Sequence, residues 1–446
     1  MPKFSEYVYE EPKIEEIEET GRKLIQELRE AKTPAKVYKI IDKMTEERSK
    51  FETAAALASI RFTINTADEY YAKQNDLIDE IAPRGEALVN EFYKALLESP
   101  FKDQINRHYG PVLLSQAEVA IKSFDPKIID DLVEDNKLTS RYNRLIASAK
   151  VRFQGKVYNL AGLGQFTTSP DRKVRSAASK AYFKWFAKHQ EELDEIYDKL
   201  VHLRDGMAKK LGYKNYVELG YLRMGRIDYN AEDVRNYRNQ VYKDLVPFTK
   251  KLFRQQAKRL GIRGMKWFDY NLDFNSGNAK PVGDRDYLVN EAKKMYEKIS
   301  PETGEYFNFM VNNELLDLDT KPNKASGGYC TFIPGYKSPF IFSNFNGTSG
   351  DVDVLTHEAG HAFMAYRCRD YKLLETIWPT MEACEIHSMS MEFMAYPYEE
   401  AFFKGAADKY RFSHLVDEIT FIPYGVAVDE FQEFVYENPN VTPAER

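Results

Sequence analysis

Residues Asp353 to Phe363 place two histidines, His357 and His361, four positions apart, with Glu358 directly after the first. On a helix this spacing puts both imidazoles on one face, one turn apart. Two neutral imidazoles so placed can share a Zn²⁺ ion, and the adjacent carboxylate can take a proton from a water at an open coordination position. The chemistry implied is metal-assisted hydrolysis of an amide. The neighbours Val354, Leu355, Ala359, Gly360, Ala362 and Phe363 are apolar or small, which predicts a buried helix. Glycine weakens a helix interior, so Gly360 predicts that another part of the chain approaches closely there.

A catalytic zinc needs a third protein ligand. A third histidine six residues past His361 is absent, since that position is Arg367. The downstream donors are Asp370, Glu375, Glu382, Glu385, His387 and Glu392. Trp378-Pro379 marks a break, and Pro379 suits a helix start, so Thr380 to Met394 reads as a second helix. On it Glu385, Ser388, Met389 and Glu392 share a face. Glu385 is the favoured ligand, with Glu392 two turns on, placed to accept the other N–H of a ligating histidine.

The elements that must position these groups are mostly helical. Amphipathic periodicity predicts helices over Pro12 to Ala31, Ala35 to Lys50, Phe51 to Ala72 and, opened by its proline, Pro83 to Glu98. His108 falls in an expected loop. Val151 to Leu160 changes to a period of two around a glycine, which predicts a hairpin. Ser169-Pro170 then reads as cap and first position of a helix covering Val174 to Leu203. His189 and His202 lie on it, far from the metal motif. Leu211-Gly212 closes a helix, Val246-Pro247 and residues 275–278 mark breaks, and helices follow over Tyr287 to Glu297 and Glu302 to Asn312. Lys324 to Phe332 and Pro339 to Gly347 are glycine-rich, aromatic and β-branched, and predict two short strands beside the metal helix. A strand edge there has two readings: it holds a substrate peptide in extended form, or it is purely structural. Residues 1–185 read as an N-terminal helical lobe and 186–446 as the part that carries the chemistry.

At 446 residues the chain can bury a sizeable core, and 43% hydrophobic with 30% charged residues is ordinary for a globular protein. A net charge of −6 gives no reason to expect nucleic acid or an anionic membrane as partner. No apolar run approaches a membrane span, and the polar, acidic N-terminus lacks a secretory core, so the expected location is cytoplasmic. Three cysteines, Cys330, Cys368 and Cys384, fit free thiols in a reducing compartment.

His357-Glu358-Ala359-Gly360-His361, followed by Glu385-Ile386-His387-Ser388 and Glu392, resembles the thimet oligopeptidase and oligoendopeptidase F family of zinc peptidases, most closely its oligoendopeptidase F-like branch. The stretch Leu211 to Met224 is similar to that family as well. The resemblance implies one Zn²⁺ per chain on His357, His361 and Glu385, with Glu358 as base. It implies a mainly α fold of two helical lobes flanking a zinc cleft, with a small β-sheet next to the active-site helix. From the family's enclosed channel it implies short peptides as substrates, cut at internal bonds. It tips the strand edge toward substrate binding, through Gly328, Tyr329, Phe342 and Asn344. At the far end, Thr442, Pro443 and Glu445 form a capping box that opens a helix just before Arg446, so the chain is expected to continue. The family has a further C-terminal region whose histidine and tyrosines stabilise the oxyanion, and His414 and Tyr424 lie too early to stand for them. Two other readings stay open. One is a zinc carboxypeptidase, with Arg223 or Arg226 capturing the terminal carboxylate; the other is a non-catalytic metal- or peptide-binding helical protein.

Overall fold

The computed structural model describes residues 2–226 and 228–446. Three of its long helices begin where a side chain accepts from their first amides. Thr33 caps Pro34–Ile64, Asp68 caps Glu69–Glu98, and Asp171, rather than Ser169, caps Arg172–Lys188. His189 then separates that helix from Gln190–Lys210.

Two prolines stand inside helices where a boundary was expected. Pro83 lies within Glu69–Glu98. Its ring removes the amide that would bond the carbonyl of Asp79, and Asn136 Nδ2 donates to that carbonyl instead, at 3.1 Å. Pro247 follows a turn of π-helix, Val241–Leu245, which runs into Val246–Leu260 without a loop. Residues 35–64 are likewise one helix, since nothing at Lys50-Phe51 interrupts it. His108 is not in a loop: it sits in the Lys102–Tyr109 helix, stacked on Tyr38 with ring centroids 4.1 Å apart.

The expected hairpin forms from β1 (Val151–Phe153) and β2 (Lys156–Tyr158), paired antiparallel. Gln154 and Gly155 both take positive φ at its turn, as a tight two-residue hairpin requires. A second sheet contains β3 (Leu316–Asp319), β4 (Tyr329–Ile333) and β5 (Ser338–Phe345) in the order β3-β5-β4. The sequence pattern anticipates two short strands here, β4 and β5; their antiparallel pairing and the parallel β3 are additions. Central β5 is buried along nearly its whole length, Phe340, Ile341 and Phe342 at its middle included.

The Gly350–Cys368 helix packs on β4 and β5. The largest core joins these elements to the Arg285–Ile299 and Pro301–Asn312 helices, and also takes in Tyr7, Leu57 and Ile60, so it draws on both sides of residue 185. Near the N-terminus Phe4 lies 4.4 Å from Phe340, centroid to centroid. Tyr7 stacks on Tyr336 at 3.6 Å and shares a hydrogen bond with Ser338. A second core fills the N-terminal helices and includes Leu373. Buried Glu375 reinforces that junction, accepting from Arg48 and, at 2.6 Å, from Tyr93. Beside it a cavity of about 940 Å³ opens between Val112–Ser123, Tyr216–Arg223 and the Ile377–Met381 stretch. Among the described residues no helix is long and apolar enough to cross a membrane.

Candidate metal centre

The Gly350–Cys368 helix is fixed at its start by Asp351, whose carboxylate accepts from the amides of Asn346 and Gly347 at 2.9 and 2.8 Å. Its middle is fixed from below by Tyr306, whose hydroxyl donates to the Ala359 carbonyl at 3.0 Å. The Met381–Ala395 helix lies against the same segment. A Cβ at position 360 would stand 2.6 Å from Ser388 Cα and 2.7 Å from the His387 carbonyl, so the closeness of the two helices depends on glycine. Glu385, one turn before Ser388, thereby reaches the histidines.

His357 Nε2 lies 3.1 Å and His361 Nε2 3.7 Å from the same oxygen, Glu385 Oε2. Ser388 donates to that oxygen at 2.9 Å and sets the rotamer of Glu385. Both imidazoles are held from behind: His357 Nδ1 faces Glu392 Oε1 at 2.6 Å, and His361 Nδ1 faces His387 Nε2 at 3.1 Å. Their Nε2 atoms are therefore the ones that face Glu385. Burial, with the charge of His357 adding to it, pulls His361 down to about 4, which keeps its lone pair available near neutrality. Burial opposes protonation of His357 too, but the hydrogen bond and charge of Glu392 outweigh it and raise that group above its ordinary value.

Two imidazole nitrogens and a carboxylate oxygen, all within 4.8 Å of one another, fit a Zn²⁺ ion in number and in donor type. Glu358 stands beside them, 8% exposed, with Oε2 lacking a hydrogen-bond partner among the described residues. Burial, with Glu385 and Glu392 adding to it, pushes its carboxyl up to about 7. An ionisable group in such a setting can exchange a proton near neutral pH.

The other donors considered from sequence are engaged elsewhere. Asp370 pairs with Lys337 and Glu382 with Arg226, both at 2.7 Å, while Glu375 is spent on Arg48. His387 backs His361 instead of joining the cluster. His189 and His202 each bond a carbonyl of their own helical stretch. His414, set aside above as too early for the family's oxyanion groups, is 5% exposed and hydrogen-bonded through Nε2 to Glu392 Oε2. Its only signal was its place in a row of polar residues with Tyr410, Asp417 and Glu418, which reads as a solvated face.

On the strand side, Gly328 lies against Glu358, whose Oε1 is 3.5 Å from where a Cβ of residue 328 would be. Tyr329 bonds Thr63 at 2.7 Å and stacks on fully buried Phe342 at 4.7 Å. Asn344 donates to the carbonyls of Ala325 and Gly327 at 2.8 and 2.9 Å. The side chains of these three residues thus hold the strand and the loop before it, while Gly328 brings main chain to the site. β4 is an edge strand, so one side of it has no partner strand among the described residues.

The profile of the peptidase M3 N-terminal domain matches residues 4–124, and that of peptidase family M3 matches residues 165–420. Among solved structures, the chain superposes on PZ peptidase A with inhibitor 2 at a TM-score of 0.99 and 51% identity, covering 99% of this chain and 79% of that one. With a candidate oligoendopeptidase F from Bacillus anthracis str. Ames the TM-score is 0.98 and the identity 48%, covering 100% of this chain and 82% of that one. A curated relative, an oligoendopeptidase F homolog of Mycoplasma genitalium, is 21% identical over 267 residues. That match spans 57% of this chain and 42% of the relative's length.

Proposed function

The chain belongs to the M3 peptidase family, and on that premise we propose that it is a zinc-dependent endopeptidase that hydrolyses internal bonds of short peptides. The observation that carries this reading is the convergence of His357, His361 and Glu385 beside a buried glutamate with an unpartnered oxygen. His357, His361 and Glu385 hold the zinc, which when bound supplies Lewis acidity toward a water and toward the scissile carbonyl. Glu358 takes a proton from the attacking water as its oxygen bonds to the carbonyl carbon. It then gives that proton to the leaving nitrogen as the C–N bond breaks. A carboxyl buried beside the ligands, with one oxygen free among the described residues, is placed to serve both transfers.

The substrate lies extended along the free edge of β4, where Gly328 leaves room for main chain next to Glu358. Tyr329, Phe342 and Asn344 support this edge from within. Residues 1–185 form one wall of the cleft and 186–446 the catalytic part. A reducing, cytoplasmic setting goes with the three unpaired cysteines. Carboxypeptidase action has less support, because Arg223 is paired with Glu86 at 3.3 Å and Arg226 with Glu382.

The test is zinc content together with hydrolysis of an internally quenched peptide, by the parent and by Glu358→Gln. Zinc in both with turnover only in the parent is the expected result, with C-terminally amidated and free-acid peptides cut alike and a chelator abolishing turnover. Zinc without turnover in the parent would refute catalysis by these 446 residues and leave the metal site standing. A folded parent that takes up no zinc would refute the ligand assignment.

A further inference from the structure

We propose that His414, oriented by Tyr396, is a positioning residue that fixes the metal-binding face of His357 through Glu392. The inference rests on the reading of His357 as a zinc ligand and adds to it a residue from a helix that carries none of the ligands.

His414 lies on the Ala407–Glu437 helix and is buried between the rings of Phe393, Tyr396 and Tyr410. Its two ring nitrogens have distinct partners. Nε2 faces Glu392 Oε2, and Nδ1 lies 2.7 Å from the Tyr396 hydroxyl. The other oxygen of Glu392 faces His357 Nδ1 at 2.6 Å. An ionised carboxylate only accepts, so both imidazoles turn an N–H toward Glu392. In neutral His357, the form that can ligate a metal, this leaves Nε2 as the bare nitrogen, and Nε2 is the atom that points at Glu385. The other nitrogen of His414, Nδ1, lies against the Tyr396 hydroxyl, which orients the ring. The side of His357 that faces Glu385 is thereby set from two helices away.

Glu392 has little freedom to compensate for a lost partner. It is 5% exposed, and among the described residues its hydrogen-bonding partners are these two imidazoles. Without His414, Oε2 is buried with no donor. The carboxyl then turns toward another donor, which disturbs the bond that orients His357. Glu418 Oε1, 3.9 Å from His414 Nε2, lies beyond hydrogen-bonding distance, so Nε2 is directed to Glu392.

The readout is zinc affinity, measured by competition with a chromogenic chelator on the parent, His414→Leu, His414→Gln and Tyr396→Phe. Thermal melting of the metal-free proteins and the visible spectrum of the cobalt-substituted forms accompany it. We expect His414→Leu to bind zinc about 10- to 100-fold more weakly, with a changed cobalt spectrum. His414→Gln, whose amide can still donate to Glu392, recovers most of the loss, and Tyr396→Phe falls between His414→Gln and His414→Leu. Equal affinity of a folded His414→Leu and the parent would overturn the inference alone. So would equal losses in His414→Leu and His414→Gln, which would mark a packing role. Should His414→Leu fail to fold, parent-like affinity and cobalt spectrum in Tyr396→Phe would overturn it. A parent that binds no zinc would overturn both this inference and the reading beneath it.

Discussion

Gly360 and Ser388 meet backbone to backbone: a Cβ on the first would lie 2.6 Å from Cα of the second. The atoms met are main chain and cannot rotate aside. Gly360→Ala is therefore expected to push the two helices apart, cost about 1–3 kcal/mol as overpacking does, and carry Glu385 away from the histidines. Urea denaturation of the metal-free protein and a zinc titration measure the two effects. Unchanged zinc affinity would mean that the spacing of the helices does not set the site.

Ser388 is fully buried, and its hydroxyl donates to the oxygen of Glu385 nearest both imidazoles. Ser388→Ala removes that donor without adding bulk. It should weaken zinc binding about 10-fold and lower stability by about 1 kcal/mol, the usual worth of one hydrogen bond. Chelator competition and denaturant midpoints on the same preparation separate the two effects.

Glu375 was a ligand candidate by sequence, and the structure gives it a different task. Its carboxyl is buried against Arg48, whose charge, working against burial, holds it below the ordinary value. Glu375→Leu leaves the Arg48 guanidinium without its buried partner and should cost about 3–5 kcal/mol. Zinc bound per folded chain stays at the parent level. A drop in zinc stoichiometry would return Glu375 to the ligand set.

Burial pushes Asp79 up to about 6, against the opposing hydrogen bond from Ser140. Its folded value lies above the unfolded one, so between about pH 4 and pH 6 the folded chain holds a proton that the unfolded chain has released. This group therefore lowers stability as pH rises through that window and contributes no further change above it. Asp79→Asn abolishes the dependence. Its urea midpoint should gain on the parent's from about pH 4 to pH 6 and then run parallel. A midpoint difference that is flat across the whole range would show that Asp79 does not titrate as described.

The parts of the site that were legible are those carried by local periodicity. His357, Glu358 and His361 lie within one and a half turns, and Glu385, Ser388 and Glu392 repeat along one helix face, so helix geometry alone groups each set. His414 was not legible, because a polar stripe over Tyr410, His414, Asp417 and Glu418 looks solvated until the bonds to Glu392 and Tyr396 turn its His414 side inward. The helix through Pro83 was hidden for the same kind of reason. The donor that relieves it, Asn136, is 57 residues from the Asp79 carbonyl that it satisfies. β3 escaped notice because four residues of alternation are a weak signal, and its partner is a parallel strand beyond β4. Local chemistry shows where each element begins; which buried polar groups meet depends on contacts that close only in the finished fold.

The seating of Phe4 and Tyr7 on the aromatic residues around β5 has a consequence for the order of events during synthesis. These early residues leave the ribosome more than three hundred positions ahead of Tyr336, Ser338 and Phe340, their partners. The N-terminal helices can pack among themselves while translation continues, but the core around β5 has to wait for both ends of these long-range contacts. Until then the aromatic strap stays exposed. The nascent chain is therefore most exposed to aggregation and to chaperone capture in the interval before the metal helix is made.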